Sequence, residues 1–264
     1  RRWFGRATEP QVLFPAIAVL GLCAVWGATL NLINVERAAA ERTAAVASRE
    51  VAATYEAQVL RALREIDQTL KTVKYAHELG GKGVVMQELK ERGLLPPDLI
   101  FFVSIADSEG NIVASTRPSA VKNVADQDYF RSARETDALL IGRPQKNPGS
   151  DVWELNFSRR LDAANNRLSG VVTVAVAPAY FVSGYESSKL GARGVLGILG
   201  TDGVFRARRS GEIASAGDQV VYAEVVPARS EASREAMLTT NPWDNVPRYT
   251  VARQLYGFPL AVIV

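Results

Sequence analysis

The chain has 264 residues, 47% of them hydrophobic and 22% charged, which excludes an extended disordered or collagen-like polymer. A single cysteine, Cys23, excludes an internal disulfide framework and a cysteine-built zinc site; a single histidine, His77, argues against a histidine-rich metal centre. The net charge is +3, and Arg1, Arg2 and Arg6 against Glu9 place +2 of it in the first ten residues, so no concentrated basic face remains for a nucleic acid. The first residue is Arg1, and the chain is expected to be a piece of a longer protein.

From Gln11 to Val35 no residue is charged. A hydrocarbon core of about 30 Å needs roughly 20 apolar residues in a helix, and lipid leaves no partner for an unpaired backbone group. The run predicts a transmembrane helix over 12–35, with residues 1–11 as its basic flank. The arginines before it place the N-terminus in the cytoplasm and residues 36–264 outside, in a bacterial periplasm. The alternative is a signal peptide cleaved near Ala38–Ala40, but the run exceeds the usual apolar core of such peptides. Ala24 and Ala28 form a small-xxx-small pair suited to helix association.

Residues 36–79 contain neither Pro nor Gly and are rich in good helix formers. Val59, Leu63, Ile66, Leu70 and Val73 repeat at spacings of 4, 3, 4 and 3, a heptad-like stripe expected to pack on its own domain, on a partner helix, or on both. The glycines of GGKG (80–83) read as the helix stop rather than a phosphate loop, which would need a different spacing and a following Ser or Thr. His77 reads as a solvated residue of this helix.

The remainder reads as strands and turns. LIFFVSIA (99–106), the turn DSEGN and IVAS form a predicted hairpin, and VLGIL (195–199), GTDG and VFRAR form another. WELNFSRRL (153–161) leads to GVVTVAVA (170–177), much as PRYTVARQL (247–255) leads to FPLAVIV (258–264). Gly110 and Gly203 stand 93 positions apart, Arg159 and Arg253 stand 94 apart, and Gly170 and Gly257 stand 87 apart. Recurrence near 90 residues predicts one module used twice. Each unit has about five antiparallel strands with helices on one side, an α+β architecture. A helix is expected near 127–136 in the first unit, and the second unit is shorter at that point.

The words DQDYF (126–130), GRP (142–144), Trp153 with SRR (158–160), and GVV from Gly170 leading to PAYF (178–181) resemble the double Cache (PDC) sensor regions that precede diguanylate cyclase (GGDEF) and EAL phosphodiesterase domains. The terminal YGFPLAVIV resembles the last strand of the second PAS-like unit. The resemblance covers nearly the whole chain. It implies a membrane-distal module over 80–185 and a membrane-proximal one over 186–264. It also implies a homodimer and a small-molecule ligand, with an output domain beyond Val264. Histidine kinases and chemoreceptors carry similar sensors. The rival readings are a membrane-tethered scaffold without a ligand and, least supported, an exported enzyme.

No catalytic set, metal site or cofactor is expected within these residues. The resemblance places Tyr129, Trp153, Asn156, Arg159 and Arg160 in the segments that line the pocket of Cache families. Arginine can grip a carboxylate with two bonds, aromatic rings offer flat walls with polar handles, and Asp126 or Asp128 can accept an ammonium group. Together they suit a carboxylate or an amino acid. Strand alternation qualifies this expectation. Trp153, Leu155, Phe157 and Arg159 share one face, and Glu154, Asn156, Ser158 and Arg160 share the other. One arginine is therefore expected to be structural, pairing with Asp126 or Asp128, and Trp153 and Phe157 are also compatible with ordinary core.

Overall fold

A computed structural model describes residues 10–80, 85–96, 101–119, 121–147, 152–163, 167–184, 190–191, 193–227 and 235–264. The predicted membrane run and the helix after it form a single helix, α1, from Pro10 to Gly80. Pro15 sits near its start, where few helical hydrogen bonds are lost. Residues 1–47 and 48–264 form two units.

Over residues 14–35 of the first unit the helix carries no charge and is exposed on every side. Phe14, Leu20 and Trp26 are all exposed. This stretch is long and apolar enough to cross a membrane, and none of it is buried in protein. Such a stretch needs an apolar surrounding that the chain itself does not supply here.

In the second unit the helix has a single buried stripe. Tyr55, Val59, Leu63, Ile66, Leu70 and Val73 are fully buried in one hydrophobic core. That core also holds α2 (Val85–Glu91) and one face of each of two antiparallel sheets. The stripe thus packs on its own chain.

The first sheet contains β1 (Phe101–Asp107), β2 (Ile112–Ser115), β3 (Leu140–Ile141), β4 (Gln145–Lys146), β5 (Trp153–Asp162) and β6 (Leu168–Val176), in the order β2-β1-β6-β5-β3 with β4 also on β5. The short helix α3 (Asp128–Ala133) lies between β2 and β3 in sequence, and a 3-10 turn over Pro178–Phe181 follows β6. The second sheet contains β7 (Val195–Gly200), β8 (Phe205–Ser210), β9 (Ile213–Ser215), β12 (Ala252–Gln254) and β13 (Leu260–Ile263), in the order β12-β13-β7-β8-β9. Helix α4 (Tyr222–Val225) and the hairpin of β10 (Met237–Thr240) with β11 (Pro247–Thr250) lie between β9 and β12 in sequence.

The two sheets share a plan. In each, the first hairpin pairs with the last long strand, and that strand pairs with the one before it. Gly110 and Gly203 both adopt positive φ in the first turn, where glycine alone is unstrained. After each turn the chain makes one isolated bridge to the segment that follows, Asn111 with Asn123 and Val204 with Gln219. Arg159 and Arg253 also match: each reaches back to an acid on α1, Asp67 at 2.7 Å and Glu56 at 3.0 Å.

Two expectations change. Gly170 lies inside β6, where an added Cβ would collide with the Ala106 carbonyl, whereas Gly257 serves a positive-φ turn; their spacing is not a structural equivalence. The run 247–255 is not one strand. It divides at Val251 into β11, which pairs with β10, and β12, which joins the sheet.

Candidate ligand-binding site

Register sets the two faces of the first sheet. On one face Phe101, Val176 and Leu155 lie abreast, followed by Val103, Val174 and Phe157. These six are buried in the core shared with α1. On the other face the rungs are Phe102, Ala175 and Asn156, then Ser104, Thr173 and Ser158. The next rung, Ala106, Val171 and Arg160, is closed over by Val124, Phe130 and Ala133, which cluster on Ala106 and Val171.

Above the polar rungs lies a cavity of about 220 Å³. Its floor is Phe102, Ser104, Thr173, Ala175, Glu154 and Asn156 from the sheet. Its cover comes from residues 112–147 and includes Ser119, Val124, Gln127, Tyr129, Gln145 and Lys146. Ala175, at the centre of its rung, leaves the space that a larger side chain would fill.

Ser104, Asn156 and Thr173 are each more than nine-tenths buried, and their side chains make no hydrogen bond among the described residues. The hydroxyl of Tyr129 and the amides of Gln127 and Gln145 likewise make no side-chain hydrogen bond among the described residues. These polar groups all line the cavity, and convergence of several on one cavity marks a place for a polar guest. Burial, then the charge of Glu154, pushes the Tyr129 phenol up to about 12, so it stays a neutral donor. Glu154 accepts a hydrogen bond from the Asn147 amide at 2.8 Å. Gly142 donates its N–H to the Asn156 carbonyl at 2.8 Å and passes close to Tyr129, which fixes the cover on β5.

Of the residues expected at the pocket, the structure brings Tyr129 and Asn156 together there. Trp153 lies elsewhere: a Cβ on Gly217 would stand 3.0 Å from its ring, and Lys146 Nζ is 5.8 Å from its centroid. Asp126 is exposed. Asp128 pairs with Arg131 at 2.6 Å and lines a separate cleft of about 390 Å³. Neither arginine lines the cavity. Arg159, on the helix-facing side, binds Asp67 of α1. Arg160 donates from Nε to Asp162 at 2.6 Å and from Nη1 to the Arg134 carbonyl at 2.6 Å. The expected pairing of an arginine with Asp126 or Asp128 is thus replaced by Asp67 and Asp162, because α1 and the strand itself supply nearer carboxylates. His77 is not solvated. It is 7% exposed, with Nε2 3.3 Å from the Ser169 hydroxyl, because the end of α1 lies against β6.

Sequence reasoning missed Ser104, Thr173, Gln127, Gln145, Lys146 and Glu154. A signal existed for two of them: Ser104 and Thr173 interrupt the apolar runs Phe101–Ala106 and Gly170–Val176. The cover residues sit in irregular chain that no periodicity marks.

No protein-family model matches the chain, and no curated protein matches it. Solved structures do. The extracellular domain of rpHK1S-Z16, assigned as a histidine kinase, is 23% identical at a TM-score of 0.69, over 85% of this chain and 93% of that one. The ligand-binding domain of the Pseudomonas aeruginosa PAO1 amino acid chemoreceptor PctC, solved with GABA, is 12% identical at a TM-score of 0.55, over 81% and 95%. That of the Pseudomonas fluorescens chemoreceptor CtaA, solved with L-serine, is 11% identical at a TM-score of 0.55, over 81% and 94%. The chain therefore has the α+β fold of extracellular sensor domains, with a long N-terminal helix and antiparallel sheets.

Proposed function

We propose that this chain is the ligand-sensing and membrane-anchoring region of a transmembrane signal transducer, built as a double Cache sensor. Residues 12–35 cross the inner membrane, residues 1–11 face the cytoplasm, and residues 36–264 lie in the periplasm. The first module spans 80–185 and carries the ligand, and the second spans 186–264. The sensor works as a homodimer and feeds a cytoplasmic output. A histidine kinase or a chemoreceptor suits the fold neighbours, and a diguanylate cyclase suits the sequence words.

The observation that carries this reading is the set of buried, unpartnered polar groups, Ser104, Asn156 and Thr173, beneath one cavity. Its volume suits a molecule the size of an amino acid. Glu154, paired with Gln145 across β5 and β4, puts an anion on its lining, while Lys146 at the rim pairs with Trp153 and holds its Nζ 5.8 Å from that ring's centroid. Glu154 complements an ammonium group, and Asn156, Gln145 and Tyr129 would take the remaining polar atoms of an amino acid. The fold neighbours solved with GABA and L-serine support the same ligand class.

A ligand that binds only the folded state at a hundredfold excess over its Kd stabilises it by about 2.7 kcal/mol. The detergent-solubilised chain is screened by thermal shift against GABA, L-serine, other amino acids and dicarboxylates. At least one amino acid raises the Tm of the wild type and leaves Ala175→Leu, in which the cavity is filled, unmoved. Failure of every amino acid and carboxylate to raise the Tm would overturn the reading, as would an equal shift in Ala175→Leu.

A further inference from the structure

Three side chains from two elements converge on residues 134–137, the stretch that leads from α3 into β3. Arg160 Nη1 donates to the Arg134 carbonyl at 2.6 Å. Arg159 Nη1 donates to the Asp137 carbonyl at 2.5 Å. Lys74 Nζ, on α1, donates to Asp137 Oδ1 at 2.6 Å. Further acids hold these cations in place, Glu78 standing 3.6 Å from Lys74 Nζ. Asp67 of α1 receives Arg159 Nε at 2.7 Å, and Asp162 receives both Arg160 Nε at 2.6 Å and Lys74 Nζ at 3.2 Å. The side chains of Lys74, Arg159, Asp67 and Asp162 are only 14–18% exposed.

The gripped stretch is part of the cavity's cover. It follows Gln127 and Tyr129 and precedes Gly142, Gln145 and Lys146. The cover therefore touches the cavity on one side and, through Asp137, touches α1 on the other. We propose that Lys74, Arg159 and Arg160 are positioning residues that strap the cover to α1, so that lifting the cover and loosening the last turns of the helix are one cooperative event. As a route for the ligand's signal this rests on the cavity reading above; as a mechanical link it does not.

The physical reason is charge balance in a part-buried cluster. When the cover lifts, Asp137 leaves, and Lys74, Arg159 and Arg160 remain around Asp67 and Asp162. With Lys71 on Asp67 at 2.8 Å and Glu78 3.6 Å from Lys74, four cations then face three carboxylates in a part-buried cluster. Asp67 and Asp162 belong to α1 and to the end of β5, so both elements feel the loss. Asp67 and Asp162 are held below the usual carboxylate range: burial alone would raise them, but hydrogen bonds from Arg159 and Lys71, and from Arg160 and Lys74, outweigh it.

Hydrogen exchange on the full chain in detergent, with no ligand added, tests the strap. In Lys74→Met, exchange rises about tenfold in both 127–141 and 67–79, while 195–210 in the second sheet keeps its wild-type rate. Lys74→Arg restores protection in both. Asp137→Asn, at a more exposed position, gives the same paired rise without threatening the fold. A rise in the cover alone, in the helix alone, or everywhere including 195–210 would overturn the proposal, as would no rise at all. The result is independent of the thermal-shift screen, so a failed strap and a failed ligand reading are told apart.

Discussion

The outer faces of the two sheets have the same strand plan and opposite contents. In the first sheet that face presents Ser104, Thr173, Ala175 and Asn156 to a cavity of about 220 Å³. In the second it presents Leu199, Phe205, Ala261 and Ile263, clustered with Val225 and Val226. Phe205 meets Trp243 edge-on at 5.3 Å, and Arg208 stands over both rings at 5.4 and 5.9 Å. At Gly197 an added Cβ would lie 2.9 Å from the Phe205 ring, so that ring already occupies the space above β7. A pocket in the second half, beside Thr239 and Asn241, holds about 50 Å³. One scaffold thus serves as container or as filled block, and side-chain size and polarity on one sheet face decide which.

The largest expected effects separate filled faces from the open one. Phe157→Ala, on the helix side of the first sheet, and Phe205→Ala, on the outer side of the second, each remove a fully buried ring. Each should cost about 3–5 kcal/mol. Thr173→Ala, on the open face, removes a hydroxyl with no protein partner and should cost within about 1 kcal/mol. Chemical melts of the detergent-solubilised variants measure all three. A loss at Thr173 as large as that at Phe157 would mean the polar face is packing surface after all.

The hairpin turns sharpen the same contrast at a smaller scale. In the first sheet's turn Asp107 accepts backbone N–H groups from Glu109 and Asn111, both at 2.9 Å. In the second sheet's turn Asp202 receives two guanidinium groups: Arg206 through Nη1 at 2.8 Å and Nη2 at 3.2 Å, and Arg143 at 2.8 Å. Burial would raise the Asp202 pKa, but the bonds from Arg206, then Arg143, bring it down to about 2. A folded-state pKa below the unfolded value of about 3.9 means the stabilisation is complete above pH 4–5 and is lost as pH falls toward 2. Because Asp202 is exposed and water screens its pairs, Asp202→Asn should cost about 1 kcal/mol at pH 7 and flatten the stability profile between pH 4 and 2. A profile unchanged from wild type would mean the turn's ion pairs contribute nothing net. Since Arg143 belongs to the first sheet's cover and Asp202 to the second sheet, the same variant also tests whether this pair helps hold the two together.

Most of the helix and strand plan was legible because burial imposes a period. The α1 stripe declared itself at spacings of 3 and 4, and the apolar alternation of β5 put Leu155 and Phe157 against the helix. The turn glycines Gly110 and Gly203 were legible because positive φ admits little else. The site was legible only in part. Strand parity separates Asn156 from Arg159, but it cannot say which face carries the cavity, nor that Asp67, some ninety positions away, takes the arginine. Charge chemistry at Arg159 and Arg160 looked like ligand recognition because a guanidinium grips a ligand carboxylate and a protein carboxylate in the same way.

The smallest expected effect bears on that ambiguity. Asp126 and Asp128 were the acids proposed for an ammonium group, and both are exposed, Asp128 in an i,i+3 pair with Arg131 whose side chains are 77% and 60% exposed. Such pairs contribute a few tenths of a kcal/mol. Asp126→Ala and Asp128→Ala should each change stability by less than about 0.5 kcal/mol. If Glu154 is the anion that a zwitterion meets, neither variant should alter an amino-acid thermal shift, whereas Glu154→Gln should abolish it. Should Asp128→Ala abolish the shift and Glu154→Gln leave it intact, the guest would sit in the cleft beside Arg131 and Asp202, and the contrast between an open first face and a filled second one would no longer describe where this protein binds.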